Sequence, residues 1–113
     1  MHELAMVRGI CGVIKEQIKE HNVKRVVQVR LVVGELTGVE DTVMKLCFEM
    51  YVQATPLEGA ELVIRRVPAK VRCRVCGNEY ETKIPFSGCA VCGNKKMKII
   101  SGNELYIDSL EVE

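Results

Sequence analysis

Aromatic residues make up only 4% of this 113-residue chain, and it has just two histidines. So few aromatics leave little to stack on nucleic-acid bases, and two histidines leave little for general acid–base chemistry. The sequence offers no paired acid and base in a catalytic arrangement and no phosphate-cradling glycine loop, so an enzyme is not expected. No apolar run approaches the roughly 18 to 20 residues that span a bilayer. The opening Met1-His2-Glu3-Leu4 also lacks the basic and then apolar pattern of a secretory signal. The expectation is a soluble, cytoplasmic protein with no membrane partner.

What is present has the composition of a folded domain: 48% hydrophobic and 27% charged residues, with 16 basic and 15 acidic side chains. The length suits one small domain with an appendage rather than two ordinary domains. Leu4, Val7, Cys11, Ile14 and Ile18 recur at steps of three and four, which predicts an amphipathic helix over residues 3–21. Asn22 can close it in a left-handed conformation, and the β-branched stretch Val26 to Val33 then reads as a half-buried strand. Thr37 and Glu40 match the Thr-x-x-Glu capping box. With Val43, Leu46, Cys47, Met50 and Ala54 behind them, they predict a second helix over about 38–54. Strands are expected over 61–67 and 104–112. The fold expected is α+β, a small mixed three-stranded sheet packed with two helices. The body would comprise 1–68 and 100–113, with residues 69–99 inserted between two strands of one sheet.

Charge follows that division. Residues 1–64 carry 7 basic and 9 acidic side chains, residues 65–98 carry 9 and 2, and residues 99–113 carry none and 4. A basic appendage on an acidic body suggests an acidic counterpart, either nucleic acid or protein, unless the cations only offset an anionic metal site.

Cys73-x2-Cys76 and Cys89-x2-Cys92 supply four soft ligands in two turns that nearly copy each other, Cys-Arg-Val-Cys-Gly-Asn and Cys-Ala-Val-Cys-Gly-Asn. The pattern points to a closed, structural zinc ribbon, with a rubredoxin-like iron centre or two disulfides as alternatives. Gly77 and Gly93 permit the positive φ that turns backbone N–H groups toward the sulfurs. Cys11 and Cys47 fall on apolar helical stripes, where free cysteines pack as small hydrophobes. His21, at the end of the first helix, has no visible metal partner.

Met1-His2-Glu3 places a free α-amine, an imidazole and two backbone amides within one turn of chain. The amine, the His2 amide and imidazole, and the Glu3 amide can close a square plane of nitrogens, which favours nickel(II) or copper(II) over zinc. The competing reading is a terminus that is simply solvated and frayed. The amine and imidazole must lose protons to act as ligands, so binding by such a chelate weakens below about pH 6.5.

Several segments together resemble the HypA family of hydrogenase nickel-insertion factors, in the same order over the whole chain. They are Met1-His2-Glu3-Leu4-Ala5, the segment Val32-Val33-Gly34-Glu35-Leu36-Thr37-Gly38-Val39, the paired CxxC motifs and the ending Ser109-Leu110-Glu111-Val112-Glu113. The resemblance implies a metallochaperone with nickel at the Met1 amine, the His2 side chain and amide, and the Glu3 backbone. It implies structural zinc at Cys73, Cys76, Cys89 and Cys92. The implied partners are a HypB-like GTPase and the large subunit of a [NiFe]-hydrogenase, with urease accessory proteins as further partners in some organisms. Some family members carry a histidine beside a CxxC, where this chain has Gly77 and Gly93, so a pH response through such a histidine is not expected. The alternative function is a nucleic-acid-binding zinc ribbon using Arg65, Arg66, Lys70, Arg72, Arg74, Lys83, Lys95, Lys96 and Lys98 against phosphates. The acidic remainder of the chain counts against it. Monomer and homodimer both remain open.

Overall fold

A computed structural model describes residues 3–113, so Met1 and His2, two of the three nickel-ligand candidates, lie outside the described residues. The elements in order are α1 (Glu3–Glu20), β1 (Val26–Gly34), a 3-10 turn (Glu35–Thr37), α2 (Asp41–Tyr51), β2 (Glu61–Val67), β3 (Lys70–Cys73), β4 (Glu79–Glu81), β5 (Met97–Ser101) and β6 (Leu105–Val112). Two helices accompany two three-stranded sheets, ordered β2-β1-β6 and β4-β3-β5. Among the described residues, no helix is long and apolar enough to cross a membrane.

The chain forms two compact units, one of residues up to Val32 with Gly38–Arg65 and Tyr106–Glu113, the other of Val33–Thr37 with Arg66–Leu105. In the first, Val7, Cys11 and Ile14 of α1, Met44 and Phe48 of α2, and Val26, Val29 and Leu31 of β1 are all buried. Burial also pushes the Cys11 thiol above its usual range. The sheet is mixed. Gly34 N–H donates to the Glu104 carbonyl and Glu113 N–H to that of Arg25, which sets β6 antiparallel to β1. The side-chain pairs Gln28–Glu61 and Glu35–Arg66 join like ends of β1 and β2, so those strands run parallel and α2 lies in the crossover between them.

Helix α2 differs from its expected form in extent and in face. It begins at Asp41, with Glu40 at the N-cap making no side-chain cap hydrogen bond. Gly38 at φ +72° breaks the path between Thr37 and the helix, and the Thr37 hydroxyl donates to the Gly34 carbonyl at 2.9 Å. The helix stops at Tyr51, and Ala54 is left-handed at φ 62°. Its buried side chains are Met44 and Phe48, an i, i+4 pair, whereas Val43, Leu46 and Met50 are exposed. Leu4 at the start of α1 is exposed as well, while Val7, Cys11, Ile14 and Ile18 are buried as their spacing predicts.

Gly9 and Gly12 lie within α1, where an added Cβ would meet nothing within 4 Å. Gly12→Ala is therefore expected to stabilise the protein by about 0.5–1 kcal/mol, because alanine loses less conformational entropy in a helix interior. The readout is a higher urea midpoint at unchanged slope, and a lower midpoint would refute the open surface.

Candidate metal centre

The four cysteines are carried by the second unit. Strand β3 pairs antiparallel with both β4 and β5, with Val71 opposite Tyr80 on one side and Ile99 on the other. Cys73 ends β3 and leads into a turn in which Gly77 N–H donates to the Cys73 carbonyl at 3.0 Å and Cys73 N–H to the Asn78 carbonyl at 3.0 Å. The second turn repeats both bonds, Gly93 to Cys89 at 2.9 Å and Cys89 to Asn94 at 2.8 Å. Gly77 and Gly93 adopt φ +74° and +76°, the left-handed conformation their place after each CxxC predicts. In each turn two amides then face the first sulfur: Val75 and Cys76 donate to Cys73 Sγ, and Val91 and Cys92 to Cys89 Sγ, all at 3.4 Å.

The four ligand atoms lie within 4.8 Å of one another, the only such group of metal-ligating side chains among the described residues. Cys73 Sγ stands 3.5 Å from Cys92 Sγ and Cys76 Sγ 3.6 Å from Cys89 Sγ. A disulfide needs about 2.05 Å, whereas a sulfur tetrahedron around zinc has edges of about 3.8 Å from Zn–S bonds of about 2.3 Å. The spacing therefore suits a tetrahedral metal and not a pair of disulfides.

Electrostatics lead to the same requirement. As free thiols the four are unequal. The amides of Cys76 and Val75 pull Cys73 down to about 6, and those of Cys92 and Val91 lower Cys89. At Cys92 the Asn94 amide favours the thiolate, but Cys73 and burial outweigh it and push the thiol up to about 11. Cys76 is raised too, by burial and its neighbouring sulfurs against the Asn78 amide. Four thiolates this close repel one another unless a cation sits among them. Bound there, zinc would supply a closed four-sulfur link between the turns, and no open coordination position for chemistry.

Tyr80 has a role in this centre that its sequence position did not disclose. Its hydroxyl donates to the Gly88 carbonyl at 3.2 Å and accepts from Ala90 N–H at 3.0 Å, bracketing Cys89. Tyr80→Phe removes both bonds, each worth about 1 kcal/mol. The variant is expected to surrender zinc to a colorimetric chelator about tenfold faster. An unchanged transfer rate would show that the second turn holds itself.

Of the terminal residues, only Glu3 is described. Its carboxylate is 6% exposed and accepts a 3.2 Å hydrogen bond from Glu40 N–H at the N-terminus of α2, where a negative charge is favoured. Sequence alone assigns a role only to the backbone of Glu3. The signal available was an acidic residue opening one helix and a polar stretch opening the next. Cys11 is buried and Cys47 half-buried, and neither belongs to the four-sulfur group.

Comparison with known proteins bears on both ends of the molecule. Residues 1–112 match the family described as "Hydrogenase/urease nickel incorporation, metallochaperone, hypA". The chain is 40% identical to the hydrogenase maturation factor HypA of Caldanaerobacter subterraneus subsp. tengcongensis, over 100% of both chains. It is 38% identical to that of Desulfitobacterium hafniense, over 100% of this chain and 99% of the other. The fold is shared with the solution structure of the nickel metallochaperone HypA from Helicobacter pylori, at a TM-score of 0.68, 22% identity and coverage of 99% and 97%. A second HypA solution structure agrees with a TM-score of 0.73, 23% identity and coverage of 100% and 97%. A four-sulfur centre on a small sheet, two helices beside a mixed sheet, and a match running from the first residue almost to the last place this chain in the HypA family of nickel-incorporation metallochaperones.

Proposed function

We propose that this chain carries nickel(II) as cargo at its amino terminus and passes it to the large subunit of a [NiFe]-hydrogenase, with a HypB-like GTPase as partner. The observation that carries the reading is the family match over residues 1–112, which includes the Met-His-Glu opening. The Met1 amine, the His2 imidazole and amide, and the Glu3 backbone nitrogen form the nickel plane, while Cys73, Cys76, Cys89 and Cys92 hold a structural zinc. The body, 1–68 with 100–113, handles nickel, and residues 69–99 are the zinc-bearing insertion. The chain catalyses no reaction itself, and any GTP hydrolysis belongs to the partner. It acts in the cytoplasm, where its acceptor is assembled.

Two features support this division of labour. A terminal chelate can peel away from its support, which suits a cargo that must be captured and then released. The buried Glu3 carboxylate ties the first turn of α1 to the start of α2, so Glu3, the last residue of the proposed chelate, is itself anchored.

Equilibrium nickel titration of zinc-loaded, untagged protein tests the reading. His2→Ala removes the imidazole, and one extra residue before Met1 keeps every side chain while displacing the amine. Both variants are expected to lose stoichiometric nickel binding while keeping one zinc, and wild-type affinity should fall below about pH 6.5. Binding by the variants equal to wild type, or none by wild type, would overturn it.

A further inference from the structure

A cleft of about 380 Å³ opens between Arg74 of the first cysteine turn, Pro85 and Phe86, and the start of β5. Arg74, Lys95 and Lys98 line it, with Pro85, Phe86, Met97 and Ile99 between them, and none of its lining residues is acidic. Phe86, 83% exposed, is the most exposed large hydrophobic side chain among the described residues and stands at this cleft. The strand order β4-β3-β5 also leaves one edge of β5 without a strand partner in its sheet, and Met97, Lys98 and Ile99 belong to that edge strand.

We infer that this cleft is a docking site for an extended, acidic segment of a protein partner that carries a large aliphatic side chain. Each feature selects one property of the occupant. Three cations with no carboxylate among them complement acidic side chains and steer their approach. The aliphatic floor of Pro85, Met97 and Ile99 takes an aliphatic side chain, and Phe86 closes over it. The open edge of β5 offers backbone pairing to an extended chain. Nucleic acid fits less well, since one aromatic ring gives no run of stacking platforms and the floor is aliphatic. None of the cleft residues is a ligand of the proposed nickel chelate, so failure of the docking site and failure of the nickel reading are distinguishable: one is read by peptide binding, the other by nickel titration.

The test uses the zinc-loaded full chain and a fluorescein-labelled synthetic peptide with a central leucine flanked by glutamates. Fluorescence anisotropy gives the affinity and an amide nitrogen–proton correlation spectrum gives the place. Saturable binding is expected, with shifts centred on Arg74, Phe86 and Met97–Ile99. Replacing the peptide's glutamates by glutamine, its leucine by serine, or Lys95 and Lys98 together by glutamate should each weaken it by about tenfold or more. Phe86→Ser should weaken it while leaving zinc content and the remaining spectrum intact. No saturable binding, equal affinity for the glutamine peptide, or shifts elsewhere on the molecule would overturn the proposal. Binding of an oligouridylate as tight as the peptide's would replace it with a nucleic-acid site. A change of sedimentation coefficient confined to Phe86→Ser would replace it with an interface between copies of this chain.

Discussion

Gly34→Ala is expected to leave little folded protein, lowering stability by about 4 kcal/mol or more, the exceptional end of the range for single substitutions. A Cβ at Gly34 would stand 1.9 Å from the Gly102 carbonyl oxygen, 2.1 Å from its carbon and 2.7 Å from Asn103 N. All three are backbone atoms, so no side chain can rotate aside. The same two segments are tied by hydrogen bonds from Gly34 N–H to the Glu104 carbonyl at 2.7 Å and from Leu36 N–H to the Gly102 carbonyl at 2.8 Å. Moving the segments apart would break those bonds as well as relieve the clash. Gly102 has little room of its own, at φ +118° with Ala69 Cα 3.0 Å from its would-be Cβ. Urea unfolding followed by circular dichroism measures the effect, and a Gly34→Ala midpoint equivalent to less than about 1 kcal/mol of loss would refute the close approach.

Stripping the zinc proposed for the four cysteines is expected to melt the β3–β5 sheet while the helical unit stays folded. The buried apolar residues of the second unit are few and small, Val33, Ala69, Val71 and Pro85 beside Cys73 and Cys89. Such a core supplies little of the free energy needed to order the segment. Metal binding in small zinc modules contributes roughly 10–16 kcal/mol at neutral pH, which is folding free energy when the free site is not preformed. The first unit has its own interior around Phe48, Ile14 and Leu31. Chelation under reducing conditions should therefore collapse the amide dispersion of residues 70–101, leave the helical circular dichroism in place, and reverse on adding zinc. Cys76→Ser should reproduce the collapse. Retained dispersion in the ribbon without zinc would show that it folds on its own contacts.

The parts of this molecule legible in its sequence are those held by local rules. The stripe Val7, Cys11, Ile14, Ile18 is a helical period, and those residues are buried. The repeated Cys-x-x-Cys-Gly-Asn is a self-contained turn, and both copies form with the expected glycine conformation. Legibility failed where a distant segment decides the outcome. The Thr37–Glu40 pattern looked like a cap, but Gly38 turns the chain and the Glu40 amide goes to Glu3, 37 residues away. For α2 two apolar faces compete, and the one carrying Met44 and Phe48 is buried, leaving Val43, Leu46 and Met50 outside. Strands β3, β4 and β5 have 4, 3 and 5 residues, too short for alternation to register. Tyr80 acts through its hydroxyl on a turn eight to ten residues later, and nothing in a sequence marks that distance.

Both cysteine turns are held by main-chain bonds and by sulfur, the second also by the Tyr80 hydroxyl, and the side chains between the cysteines take no part. Val75 and Val91, which occupy equivalent places, are 61% and 68% exposed. The metal centre therefore separates architecture from address. Four positions, Arg74, Val75, Ala90 and Val91, can be rewritten over generations to suit whichever surface the ribbon meets, while the spacing of the cysteines and the glycines behind them preserve the scaffold unchanged.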